Sequence, residues 1–134
     1  MDLDLKEFPK MNMNDINNFQ ILKHFNLREF QCPCCMRVII HKSLLLKLSK
    51  LRQAIQEPLI INSGYRCEKE NKAIGGTLHS YHMLGYAADV TTKLMSIDDL
   101  LVFAEGLNFG GIGHYRTFLH LDVREIKSRW EDLL

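Results

Sequence analysis

The stretch Ser80-Tyr-His82-Met-Leu-Gly85-Tyr-Ala87-Ala88-Asp89 holds a histidine and a carboxylate seven residues apart, with a glycine between them. Gly85 lets the backbone turn tightly, so a loop histidine can face a carboxylate on the next strand. Neutral imidazole and carboxylate are both ordinary Zn²⁺ ligands, and a catalytic zinc takes three protein ligands and leaves one position open for water. A third ligand is available in Phe118-Leu-His120-Leu-Asp122-Val-Arg124. Positions i and i+2 of a strand share a face, about 6.5–7 Å apart, so His120 and Asp122 point the same way. His82, Asp89 and His120 complete the count, and Asp122 remains as a carboxylate able to take a proton from the bound water. Four of the six histidines fall between 79 and 120, which adds weight to a metal site. Against it stands a plainer reading: a solvated or structural strand histidine and a turn-forming aspartate.

These side chains need a scaffold. Ile16, Phe19, Leu22 and Phe25 recur at three-residue spacing and predict a short helix ending near Asn26. Ser43 is a candidate cap for a helix with Leu44, Leu48, Leu51 and Ile55 on one face, stopped by Pro58. Leu59 to Asn62 reads as a short buried strand, Glu68 to Ile74 as a helical turn closed by Gly75-Gly76, and Ala87 to Thr91 as a second strand. Ser96 and Asp99 suit a capping box for a helix carrying Leu100, Leu101, Phe103 and Ala104. Gly110 to Tyr115 and Phe118 to Val123 are β-runs separated by Arg116-Thr117, short enough for a hairpin. Long crossover helices are scarce, so this order predicts an α+β fold: a small, mainly antiparallel sheet with flanking helices.

The chain has 134 residues, a length that suits one domain, with residues 1–12 as a loosely held polar arm and 13–134 as the domain. Seventeen basic and sixteen acidic residues leave a formal net charge of +1. That balance carries no electrostatic footprint for nucleic acid or an anionic membrane. The longest apolar run, Leu100 to Ala104, is far short of the roughly 20 residues of a spanning helix, so no membrane insertion is expected. Asp2, Asp4, Lys6 and Glu7 interrupt any secretory hydrophobic region, so the expected location is cytoplasmic as synthesised. The four cysteines, Cys32, Cys34, Cys35 and Cys67, then read as reduced thiols or a metal knuckle rather than two disulfides. Cys32 and Cys35 form one C-x-x-C with no second one following, so a knuckle would need Cys67 or His41.

Three segments, Ser63-Gly64-Tyr65-Arg66-Cys67, Ser80-x-His82-x-x-Gly85-x-Ala87-x-Asp89 and Gly110-Gly-Ile-Gly113-x-Tyr115-x-x-Phe118-x-His120-x-Asp122, resemble in order and spacing the zinc D-Ala-D-Ala carboxypeptidase family. This is metallopeptidase family fifteen, in the superfamily that includes lysostaphin-type peptidases and the amino-terminal domain of hedgehog. The resemblance runs from about Asn26 to Arg124 and is strongest to the short form found in bacteriophages and bacterial cell-wall proteins. It implies a hedgehog/DD-peptidase-like fold, one catalytic Zn²⁺, and His82, Asp89 and His120 as its ligands. Better-studied branches carry a His-x-His, or an acidic residue three positions before the ligand histidine; here those places hold Asp122 and Thr117. Two assignments stay open: His120 as ligand with Asp122 as base, or the two exchanged. The family's His-Asp-His ligand set favours the first.

In the family, the arginine of Ser-Gly-Tyr-Arg resembles a substrate clamp or a stabiliser of the tetrahedral intermediate. This implies such a role for Arg66, whose planar fork of donors suits it, against the alternative of a surface arginine after a turn. Ser80 either donates to substrate or caps a turn, and Tyr115 either lines the cleft or packs across strands. Phe30-Gln-Cys32 also follows the short branch, which implies that the cysteines belong to the fold. The function implied is hydrolysis of peptidoglycan stem peptides by a monomer, as D-Ala-D-Ala carboxypeptidase or wall endopeptidase. A phage lytic enzyme of this kind would be released by a holin or carried in a virion. The alternative is a non-catalytic zinc module or a phage structural component with the same fold.

Overall fold

The computed structural model describes residues 16–17 and 24–134. The arm expected over 1–12 and most of the helix expected before Asn26 lie outside the described residues. Ile16 itself forms an antiparallel bridge to His41 rather than part of a helix. Phe25 is buried, and its ring meets Phe30 edge-on at 5.7 Å.

Helix α1 spans Lys42–Ile55 and buries Leu44, Leu48, Leu51 and Ile55, with Leu45 beside them. Its cap is His41, not Ser43: the His41 Nδ1 accepts the Ser43 N–H at 3.1 Å. A short acceptor two residues upstream satisfies the free amide that a serine inside the first turn cannot. Strand β1 is Ile60–Ser63, α2 is Glu68–Ala73 and β2 is Ala87–Thr91. Helix α3, Ile97–Glu105, starts where Ser96 Oγ accepts the Asp99 N–H at 3.0 Å. Strands β3 (Gly111–Tyr115) and β4 (Leu119–Asp122) form the expected hairpin. A fifth strand, β5 (Ser128–Asp132), has no counterpart in the sequence reading. Its stretch Ser-Arg-Trp-Glu-Asp is polar, and it is held as an edge by parallel pairing to β3.

The sheet order is β1-β2-β4-β3-β5, with three antiparallel pairings and the single parallel one. The α+β class with a mainly antiparallel sheet is therefore as expected. Strand alternation splits the sheet into two chemically different faces. Ala88, Val90, Ile112, Leu119 and Leu121 turn toward α1 and α3 and form the core with Leu44, Leu48, Leu51, Leu100 and Ala104. Each fully buried leucine there contributes about 1.5–3 kcal/mol of transfer free energy, which pins the register. The opposite face carries Asp89, His120, Gly113 and Trp130 as one row across β2, β4, β3 and β5. Asp122 and Gly111 face each other in the next row. Among the described residues no helix is long and apolar enough to cross a membrane.

Candidate metal centre

His82 comes from a 3-10 turn, Tyr81–Leu84, that lies beside β2. Ser80 caps the turn, its Oγ accepting the His82 N–H at 3.2 Å, and Gly85 ends it at φ +73°. A Cβ at Gly85 would collide with the Ile39 carbonyl, so both the backbone angle and the close approach exclude other residues. The His82 side chain is 1% exposed. Its Nδ1 meets the Gly64 carbonyl at 2.8 Å and its Nε2 meets Asp89 Oδ1 at 3.1 Å. A carbonyl only accepts, so Nδ1 carries the proton and Nε2 is the nitrogen left to bind a metal.

Sheet register brings the third group. Asp89 and His120 are directly opposite on β2 and β4, and His120 Nδ1 lies 3.2 Å from Asp89 Oδ1. One donor atom each from His82, Asp89 and His120 falls within 4.8 Å of the other two. The far nitrogen of His120, Nε2, is 2.7 Å from Asp122 Oδ2. Both histidines are thus anchored from behind by an oxygen acceptor, and their remaining nitrogens converge with Asp89. Two imidazoles and one carboxylate with fixed tautomers are the donor set of a three-ligand metal site with an open position.

The electrostatics follow from this packing. Burial pushes the His82 pKa below the usual histidine value, against the pull of Asp89. Burial also opposes charge on His120, but hydrogen bonds to Asp122 and Asp89 prevail and hold its pKa above the ordinary value. Asp89 and Asp122 feel burial as an upward push, yet their histidine partners, and Arg124 for Asp122, keep both well below the usual carboxylate range. Without metal, the two carboxylates favour the charged form of His120, and Arg124 adds its own positive charge beside Asp122.

Asp122 is fully buried. Besides His120 it accepts from the Arg124 backbone N–H at 3.0 Å and from the Arg124 guanidinium, with NH2 to Oδ2 at 2.6 Å. The guanidinium sits 4.2 Å above the Tyr81 ring and 5.0 Å from Trp130. Space for this pair comes from the glycines of β3: a Cβ at Gly111 would strike Asp122 and Arg124, and one at Gly113 would come within 2.5 Å of the Trp130 indole. Asp122 lies on the far side of His120 from Asp89, an environment unlike that of a solvent-facing base.

Arg66 leaves β1 on a loop whose backbone N–H donates to the His82 carbonyl at 3.2 Å. Its side chain is buried, NH2 donates to Ser80 Oγ at 3.3 Å, and Nε has no partner among the described residues. Burial lowers its pKa, with Asp89, Glu70 and Tyr115 pulling the other way. Tyr115 combines both of its expected tasks: its ring stacks on Phe118 at 4.4 Å, and its hydroxyl accepts the Trp130 indole N–H at 2.9 Å on the cleft wall. Arg66, Ser80, His82, Asp89, Tyr115 and His120 all line one cleft of about 860 Å³.

Three contributors were missed in the sequence: Arg124, Trp130 and Asn71. Arg124 extends the i, i+2 pattern of His120 and Asp122, which was a usable signal. Trp130 is the chain's lone tryptophan. Asn71, buried, donates from Nδ2 to the Thr77 carbonyl at 2.8 Å and so holds the Gly75–Thr77 rim of the cleft.

A helix-backed sheet whose bare face gathers His, Asp and His in an open cleft offers the donor set for a metal ion. Residues 23–122 match the family model described as Peptidase M15, about three-quarters of the chain, and the chain belongs to that family. It is a metallopeptidase by class, with the fold expected of that family. No curated protein matches the chain.

Proposed function

We propose that the chain is a zinc peptidase acting on anionic cell-wall stem peptides, with His82, Asp89 and His120 as the zinc ligands. The observation that carries this reading is the converging donor set beside a cleft-lining arginine. The chemistry a zinc ion supplies when bound is Lewis acidity toward a carbonyl oxygen and toward water.

The protein's own groups divide the remaining work. Gly64 O and Asp122 keep protons on the outer nitrogens of His82 and His120, so both inner lone pairs face the metal position. Asp122 in this reading is a positioning residue, because His120 and Arg124 occupy its oxygens; the proton-accepting task expected of it from sequence would require those contacts to break. Arg66 binds an oxygen of the substrate, either the developing oxyanion or a carboxylate, through the part of its guanidinium that lines the cleft, and Ser80 orients that group. Arg66 and Lys127 line the cleft beside Arg124, which is paired with Asp122, whereas Asp89 is the lone carboxylate among the described lining residues and is committed to the histidines. That bias favours a peptide rich in carboxylates, as stem peptides are. Tyr81, Tyr115, Phe118 and Trp130 supply apolar walls for short side chains such as that of alanine.

The test is turnover of purified muropeptides, with products separated by mass. Hydrolysis abolished by chelator and restored by zinc supports the reading. Loss of a terminal D-Ala identifies a carboxypeptidase, and an internal cut identifies an endopeptidase. Tight muropeptide binding with no product in the zinc-loaded protein would replace the enzyme with a binding module.

A further inference from the structure

Outside the cleft, three of the four cysteines meet at one place, with the fourth on the turn beside them. Cys32, Cys35 and Cys67 each present a sulfur within 4.8 Å of the others. Cys34, exposed on the intervening turn, reaches Cys67 from the solvent side. Residues 32–37 form a tight reversal: the Cys32 N–H donates to the Arg37 carbonyl, the Met36 N–H donates to the Cys32 carbonyl, both at 2.9 Å, and Met36 takes φ +64°. Backbone N–H groups of Cys34, Cys35 and Cys67 point at Cys32 Sγ, the last at 3.5 Å, and that of Arg37 points at Cys35 Sγ. Amide donors aimed at sulfur stabilise thiolates, and a turn that wraps its own amides around the first sulfur of a C-x-x-C is the local geometry of a metal knuckle.

The spacing of the sulfurs discriminates between the chemistries open to them. Cys32 Sγ and Cys67 Sγ are 3.6 Å apart. Four sulfurs at about 2.3 Å from a tetrahedral Zn²⁺ stand about 3.8 Å from one another. A disulfide would need about 2.05 Å. Lys69 beside Cys34 offsets part of the negative charge that four thiolates around one divalent ion leave behind.

We propose that Cys32, Cys34, Cys35 and Cys67 form a second, structural metal site that takes Zn²⁺ as a closed tetrathiolate. Its place in the fold gives it a task. Tyr65 N–H donates to the Phe30 carbonyl at 2.9 Å, and Gly64 packs against the Phe30 backbone. The metal would clamp the 30–37 loop to the Gly64–Cys67 segment, whose Gly64 carbonyl orients His82 and whose Arg66 enters the cleft. The clamp closes a loop of 35 residues between Cys32 and Cys67, so it restrains the unfolded chain as well. This goes beyond the cleft site and stands whether or not the cleft is catalytic.

The experiment uses the full chain purified under reducing conditions. Metal analysis should find two zinc ions per chain, one remaining in His82→Ala and one remaining in Cys67→Ser. Replacement with Co²⁺ should give an intense thiolate-to-cobalt charge-transfer band that persists in His82→Ala and vanishes in Cys67→Ser. Should Cys67→Ser fail to fold, wild type decides alone: zinc should shield all four thiols from a thiol reagent, and a strong chelator should expose all four. Four reactive thiols in the zinc-loaded chain, or a cobalt spectrum without the charge-transfer band, would overturn the proposal. A Cys32–Cys67 disulfide with only two titratable thiols in the reduced-buffer preparation would overturn it equally.

Discussion

Replacing Asp122 by asparagine separates a positioning carboxylate from a proton-accepting one. The substitution keeps the side-chain volume in a fully buried site and keeps an oxygen that can accept from His120 Nε2, now 2.7 Å away. It removes the charge that supports His120 and that pairs with the Arg124 fork. Loss of such a partner behind a ligand histidine costs about 10–100-fold in metal affinity, or about 1.4–2.8 kcal/mol. The Arg124 guanidinium, 19% exposed and resting on Tyr81 and Trp130, loses its charge-assisted bonds, a further stability cost of about 1.5–3 kcal/mol. Full truncation to alanine leaves that cation unpaired, at about 3–5 kcal/mol. The assay is competition for zinc against a chromophoric chelator, followed by kcat at saturating zinc. A positioning role predicts weakened zinc binding and a kcat that recovers to within a few-fold once zinc saturates. Unchanged zinc affinity with a loss of about 10²–10⁴-fold in kcat at saturation would refute the reasoning and make Asp122 the general base.

Arg66→Lys keeps the charge but loses the fork, so kcat/KM on a defined stem peptide should fall nearly as far as in Arg66→Ala, by a few kcal/mol in transition-state stabilisation, roughly 10²-fold or more. Wild-type activity in both would remove Arg66 from the reaction. In the chelated protein, proton NMR should show His120 titrating above the ordinary value of about 6.5, because Asp122 and Asp89 favour its charged form. Zinc must displace that proton from Nδ1, so cleft affinity should rise with pH through the folded pKa of His120 and the titration should vanish on loading; a His120 that titrates at or below the ordinary value would contradict the arrangement. Gly113→Ala drives a methyl against the Trp130 indole and should shift β5, lowering Tm by several degrees and activity with it, as followed by thermal melts and turnover. An unperturbed Tm would show that the tryptophan yields freely.

Local chemistry wrote much of this protein into its sequence. The 3.6-residue period of Leu44, Leu48, Leu51 and Ile55 and the alternation in Leu119–Asp122 depend only on where neighbouring side chains must point, so α1 and β4 were legible without a partner in view. The same alternation put His120 and Asp122 on one face, and a glycine at φ +73° was the natural closure of the turn that presents His82. What the order of residues could not supply was distance across the sheet. Asp89 meets His120 because β2 pairs with β4 in one register, and a slip of one residue would have put the two on opposite faces. Strand β5 was invisible because an edge strand is stabilised by pairing, not by apolar alternation, and its Trp130 finds room only where β3 offers a bare glycine. The task of Asp122 likewise depends on Arg124 folding back onto it. The cysteines carry the same lesson: a single C-x-x-C gains a third sulfur only when the fold carries Cys67, thirty-five residues from Cys32, back to the loop.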